Sequence, residues 1–227
     1  MCRRRIWTLI GAGLLFSLVA GCATFLVTAQ SEHDAGLQLF GQGKYADAIP
    51  RFQKAIELDS RHGQSYLYLG RCYVSMGRYL EAIPPLRTAY SLSPEKVRRE
   101  TFNILLDALL GAAFSESRMG NFGGAIGHLK DALSLDPQSG QVRDELGKLL
   151  ISRGAEFLLQ GNVKEAVESY REGISYSPNS VNGYLGLAKA LLKSGDIRGS
   201  MDALQGARRL DSDNVEVLNL LKELLFK

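Results

Sequence analysis

Between Gly63 and Lys96 the spacing of apolar positions restarts once. Tyr66, Leu69, Gly70 and Tyr73 fall at i, i+3, i+4 and i+7, which is one stripe of a helix with a small residue set into it. Gly77 then interrupts the pattern and supplies, without steric cost, the left-handed backbone that a helix C-terminus uses. A second stripe runs through Tyr79, Ala82, Leu86 and Ala89, with alanines where a paired helix must come close, and Pro94 ends it. The stretch predicts a helical hairpin.

The same sequence of stripe, glycine and stripe recurs. Gly36, Leu39, Tyr45, Ala48, Phe52 and Ala55 mark a first unit; Leu109, Ala112, Ala113, Phe122, Ala125, Leu129 and Ala132 mark a third. A fourth carries Leu150, Gly154, Phe157, Ala166, Tyr170 and Gly173, and a fifth Tyr184, Leu187, Ala188, Leu191, Leu204 and Ala207. In the first unit Glu32 takes the large apolar place, as expected of a terminal unit facing solvent, and Pro50 and Pro84 sit near the start of second helices, where lost N–H groups cost little. The turn glycines Gly43, Gly77, Gly120, Gly161 and Gly195 lie 34, 43, 41 and 34 residues apart, so two intervals are long by nine and seven.

Units are thus placed near 29–62, 63–96, 106–139, 147–180 and 181–214, with insertions at 97–105 and 140–146. Each insertion is about two helical turns with apolar residues at helical spacing. They predict first helices lengthened at their N-termini, lying side by side as a ridge with Phe102 and Val142 covering each other; a pair of loops is the alternative. The tail 215–227, with Leu218, Leu221 and Leu225 in register, predicts a capping helix.

The unit from Gly63 to Lys96 resembles the tetratricopeptide repeat, matching at Tyr66, Leu69, Gly70, Tyr73, Ala82, Ala89 and Pro94, with Leu86 where the family has Phe. The resemblance covers nearly all of the chain after the N-terminal segment. It implies an all-α, right-handed α-solenoid of about five hairpins, in which the first helices line a concave groove. Carried residue by residue, the family's groove places give Leu37, Phe40, Leu67, Arg71, Val74, Leu110, Phe114, Leu185, Lys189 and Leu192 among others. Members that clamp a terminal carboxylate use Lys at the fifth place, where this chain has His33, Leu67, Leu110, Ile151 and Leu185, so recognition of an acidic tail is disfavoured. The lining is apolar with a few cations and suits an apolar peptide or helix segment; packing of the same residues between neighbouring helices is the competing reading.

Composition narrows the function further. The net charge of +3 resides in Arg3, Arg4 and Arg5, and the other 24 basic side chains equal the 24 acidic ones. Such a surface offers no counterion-release drive toward phosphate backbones, so nucleic acid is not expected as a partner. Three cysteines, at 2, 22 and 72, lack metal-ligand spacing, and Cys72 reads as a small buried thiol. His33, His62 and His128 lie in different units without a catalytic motif, and no phosphate-binding or nucleophile-elbow motif is present. No cofactor, metal, small-molecule substrate or enzymatic activity is expected.

The N-terminus carries an address. A basic MCRRR precedes the uncharged IWTLIGAGLLFSL and the small residues Val19, Ala20 and Gly21 before Cys22. The run Val-Ala-Gly-Cys resembles the bacterial lipobox, which implies a signal peptide over 1–21, lipidation of Cys22, a tether over 22–30 and, with Ala23 following, sorting to the outer membrane. Because the apolar run continues to Val27, an uncleaved signal anchor from Ile6 to Thr28 remains open. Either reading places the repeats outside the cytoplasm, as a membrane-anchored, non-catalytic scaffold for envelope proteins, similar in architecture to pilotins and hydrolase adaptors. The alternative is a permanent structural subunit of an envelope assembly, secretion or polysaccharide export complex.

Overall fold

The computed structural model describes residues 27–92 and 94–225, and regular structure among them is entirely α-helical. The described helices are α1 (Ala29–Gly41), α2 (Tyr45–Leu58), α3 (Gly63–Ser75), α4 (Tyr79–Leu92), α5 (Glu95–Arg118), α6 (Phe122–Leu135), α7 (Gly140–Leu159), α8 (Val163–Tyr176), α9 (Val181–Lys193), α10 (Ile197–Leu210) and α11 (Val215–Leu225). They pair as five hairpins, α1–α2 through α9–α10, each stacked on the next, and α11 covers the far end against α10. These are the hairpins that the hydrophobic pattern predicts, stacked as the all-α repeat solenoid that the resemblance implies.

Each hairpin closes the same way. Gly43, Gly77, Gly120, Gly161 and Gly195 have φ between 70° and 85° and are the positive-φ positions among the described residues. At Gly77 a Cβ would meet nothing within 4 Å, so only the backbone opposes a side chain there. Gly77→Ala is therefore expected to cost about 1 kcal/mol, read as a lowered urea midpoint with an unchanged slope. Inside the hairpins the limit is contact: a Cβ on Gly70 would lie 2.4 Å from Leu86 Cγ, and one on Gly36 2.6 Å from the Phe52 ring. The small residue in each first stripe is the slot for the large residue of the second.

First helices approach one another, α1 with α3, α3 with α5 and α7 with α9. Adjacent second helices bridge through long charged side chains, Arg87 to Asp131 at 2.5 Å and Lys130 to Glu172 at 2.8 Å. The first helices thus form the inner face of the curve. Exposed pairs like these contribute at most about 1 kcal/mol each; the apolar interior carries the array. That interior falls into three clusters: α1–α3 around Phe52, α3–α7 around Leu86, Leu109 and Leu146, and α8–α11 around Tyr170, Leu204 and Val217, with α7 reaching into the last through Ile151 and Phe157.

Residues 97–105 and 140–146 are helical, so α5 has 24 residues and α7 has 20 against 13 in α1, α3 and α9. Ser139 starts α7 by accepting from Val142 N–H at 3.3 Å. The two long helices do not form the ridge expected from their length. Phe102 packs on Tyr90 of α4, ring centroids 6.4 Å apart, while Val142 is fully buried among the α3–α7 leucines and alanines. Three other details depart from expectation. The Glu32 side chain is only 12 % exposed because Arg51 of α2 holds its carboxylate at 3.1 Å. Pro50 and Pro84 are each the sixth residue of their helix, past the unpaired first turn, and are tolerated because their faces are exposed and the freed carbonyls of Ala46 and Leu80 can be solvated. α1 begins at Ala29, ahead of the expected Ser31, because Thr28 and Ser31 form a reciprocal capping box at 3.1 and 2.9 Å. The helix thus takes in Ala29 and Gln30, the last two residues of the expected 22–30 tether.

Candidate functional site

Three patches lie along the inner face. The first is aromatic. Arg71 of α3 sits over the rings of Phe40 and Tyr68, 5.3 and 4.9 Å from their centroids, and its guanidinium reaches Glu100 of α5 at 3.0 Å. Phe40 and Tyr68 meet edge to face at 5.3 Å. Arg71, one of the groove residues named from the family's places, is thus engaged on both sides, so this patch presents ring edges more than charge.

The second patch is a cleft of about 400 Å³ between α5 and α7, floored by Leu129 of α6. From α5 come Leu110, Ala113, Phe114 and Ser117; from α7 come Gln141, Glu145, Lys148, Leu149 and Ser152. The cleft exists because α7 turns a mostly polar stripe toward α5: residues 141, 145, 148 and 152 share one helical face, and Lys148 is tied to Glu145 at 2.8 Å. Polar side chains cannot close apolar walls together, so α5 and α7 stay apart where α1–α3 and α7–α9 meet. Phe114 is left 64 % exposed, with the Arg118 guanidinium 5.8 Å from its ring centroid.

The third patch, about 420 Å³, lies between α7 and α9 and is lined by Ala155, Leu158, Leu159, Tyr170, Leu185 and Lys189 among others. Lys189 is exposed and ion-paired at 2.6 Å with Glu216 of α11, so the end helix takes part in the surface.

The groove residues read from the family places separate accordingly. Phe114 and Leu110 line the central cleft, and Leu185 and Lys189 the third patch. Phe40 and Arg71 meet in the aromatic patch, with Leu37 half-buried beside it in the α1–α3 cluster. Val74 and Leu192 are also half-buried. Leu67, at 3 % exposure, is held within the α3–α7 cluster, and Leu185 is mostly buried at 7 %. Their leucine side chains are taken up by inter-hairpin packing, so Leu67 offers no surface to a ligand. The family's places put Ile151 on the α7 side of the groove, but it packs toward Gly173 and Gly183; the residues that face the cleft are Gln141, Glu145, Lys148 and Ser152, whose 4-3-4 spacing marks one helical face in the sequence.

Burial pushes the Cys72 thiol up to about 11, which removes it from thiolate chemistry at neutral pH, and burial also raises the Tyr170 phenol. No group of three or more metal-ligating side chains occurs among the described residues. Cys22 and the segment 1–21 lie outside the described residues, and no described helix is long and apolar enough to cross a membrane.

Comparison with known proteins agrees with this geometry. Residues 33–96 match the tetratricopeptide repeat, and residues 154–195 match the family's repeats again. The chain is 27% identical over 190 residues to TPR repeat-containing protein YpiA of Bacillus subtilis, covering 83% of this chain and 41% of that protein. It is 24% identical over 197 residues to BBSome complex member bbs-4 of Caenorhabditis elegans, covering 72% of this chain and 41% of that one. It therefore spans about two-fifths of either relative's length. Among solved structures, a TPR repeats protein from Bacteroides fragilis superimposes with a TM-score of 0.61 at 15% identity, over 86% of this chain and 97% of that one. Two stretches, residues 33–96 and 154–195, thus match tetratricopeptide repeats, and the described residues as a whole are built from the same helical hairpin.

Proposed function

We propose that this chain is a lipid-anchored, non-catalytic scaffold of the bacterial envelope, holding partner proteins by apolar segments laid into its inner face. Proteins built from these repeats mediate protein–protein interaction as scaffolds. The observation that carries the reading for this chain is the central cleft: an aromatic ring 64 % exposed at the mouth of an apolar-walled space is a ready anchor point for another chain. The anchor rests on Val19 to Cys22 and on spacing. Six residues separate Cys22 from Ala29, a reach of at most ~20 Å, which keeps the array beside the leaflet. With Ala23 after the cysteine, the outer membrane is the destination proposed.

The full chain, expressed in a bacterium with labelled palmitate, is expected to carry label and sediment with outer membranes, while Cys22→Ser loses the label. Capture from solubilised membranes should retain the same envelope proteins with both forms, because the cleft is built from the third and fourth hairpins and Cys22 takes no part in it. Absence of label in the wild type would remove lipidation and leave the uncleaved anchor. A second reading, a permanent subunit of an envelope complex, is favoured by the apolar residues at hairpin tips and on α11: Met119 is 70%, Leu159 89% and Val215 70% exposed. A chain lacking residues 1–22 that stays monodisperse at high concentration supports the adaptor; progressive self-association supports the subunit.

A further inference from the structure

His33 and His62 come from different units, yet their ring centroids are 4.9 Å apart. Between them lies Ser65, fully buried, with its Oγ 3.0 Å from His33 Nδ1 and 2.8 Å from His62 Nδ1. Because 32 residues, nearly one repeat, separate His33 from Ser65, the stacking of α1 on α3 places them together. One assignment gives each of these hydrogen bonds a donor and an acceptor. His62 Nδ1 accepts from Ser65 N–H as the cap of α3, at 3.3 Å, and from Ser65 Oγ–H; its Nε2–H donates to Gln30 Oε1 at 3.4 Å; His33 Nδ1–H donates to Ser65 Oγ. Both rings are neutral in this arrangement.

We infer that this His33–Ser65–His62 bridge is an acid-released latch fastening the first hairpin, α1–α2, onto the second. A proton on His62 Nδ1 turns the acceptor for two Ser65 donors into a donor facing them, and the α3 cap is lost. A proton on His33 places an imidazolium at 5 % exposure, against the rings of Phe52 and Tyr68 at 5.6 and 5.7 Å. The surrounding charges do not compensate. On α1, Asp34 favours the charged ring but is exposed and accepts from Gln30 at 2.7 Å; Glu32 is engaged by Arg51 of α2. In the loop before α3, Asp59 and Arg61 are exposed and tied to each other through the Arg61 N–H. Burial, then the neighbouring His62, hold the His33 imidazole below its ordinary 6.5.

The sign follows from linkage. A histidine whose pKa is lower in the docked state binds more protons when undocked, so docking is at full strength above 6.5 and weakens as pH falls from there through the docked value. The first hairpin is the place where this matters, since its buried cluster is small: Ala48, Phe52, Leu69 and Cys72. In the third hairpin, Glu116 Oε2 is buried without a hydrogen-bond partner among the described residues and lies 3.5 Å from His128 Nε2. The latch does not depend on the groove reading, though its release would take Leu37 and Phe40 from the inner face.

Amide hydrogen exchange of the full chain at pH 7.5 and 5.0, corrected for intrinsic rates, tests it. Protection in α1 and α2 is expected to fall at least about tenfold while α9 and α10 keep theirs, a difference of ~1.4 kcal/mol. His62→Asn keeps a capping side chain and His33→Gln a donor, neither titrating near neutrality, and the double variant should flatten the profile. Unchanged protection in α1–α2, equal loss along the array, or an acid response that survives in the double variant overturns the latch. Should the double variant fail to fold, the wild-type comparison of first and last hairpins decides alone.

Discussion

Tyr170→Ala is expected to lower the stability of the C-terminal half by about 3–5 kcal/mol and to split one denaturation transition into two. Tyr170 is 3 % exposed and sits where α8 meets both flanking first helices. A Cβ on Gly154 of α7 would lie 3.1 Å from its ring, and one on Gly186 of α9 2.3 Å. The two glycines leave a slot that the aromatic ring fills, and nothing in the backbone can collapse into that slot once the ring is gone. The cost of truncation is therefore the lost transfer term and an unrelieved cavity together.

The split follows from architecture. In a stacked array each hairpin is stabilised by itself and its neighbours only, so a weakened interface uncouples what lies on either side. The α3–α7 and α8–α11 clusters are already distinct, joined mainly along α7 through Ile151, Phe157 and Leu158. With Tyr170 truncated, hairpin α9–α10 and the end helix should unfold at lower urea than α3–α6, seen as two steps in circular dichroism and as early exchange confined to α8–α11. Tyr170→Phe keeps the ring and should cost about 1 kcal/mol or less. A single sharp transition in Tyr170→Ala, shifted as a whole, would mean the array behaves as one cooperative body.

The features legible in the sequence were those set by local chemistry. A glycine at every hairpin turn and alternating large and small residues specify backbone conformation and contact within a few residues, so the five hairpins could be read without coordinates. Whatever depended on how hairpins sit against one another was not readable in the same way. Helix was the right expectation for residues 97–105 and 140–146, but the side-by-side ridge assumed a uniform stacking that the polar stripe on α7 prevents. The family's groove places named Phe114 and Leu67 in the same breath, though one is 64 % and the other 3 % exposed. Their difference comes from the spreading of α5 from α7, a property of the neighbours and not of either residue. The histidines illustrate the same limit: far apart in the chain, His33 and His62 meet because α1 stacks on α3 and brings the fifth residue of α1 beside the residue that caps α3.

Phe114→Glu is expected to abolish capture of the partner while leaving the fold alone. The side chain touches little of its own protein, so the stability change should stay within about 0.5 kcal/mol, and Glu at this position gains a helical i,i+4 pair with Arg118. Toward a partner the effect is large. An exposed aromatic at the mouth of an apolar cleft has the character of an interface anchor, whose loss costs about 2 kcal/mol or more, or roughly 30-fold in affinity. A carboxylate in its place also faces Glu145 across the cleft, adding repulsion toward acidic groups that Lys148 alone does not neutralise. The measurement is the amount of each envelope protein retained by immobilised wild-type and variant chains at matched loading, alongside their urea midpoints. Leu67→Ala is the instructive contrast: from within the core it should lower the midpoint by about 2–5 kcal/mol equivalent without selectively removing any captured protein. Undiminished capture by a stably folded Phe114→Glu would move recognition from the central cleft to the exposed tips at Met119 and Leu159, where the remaining unburied apolar surface of these hairpins is concentrated.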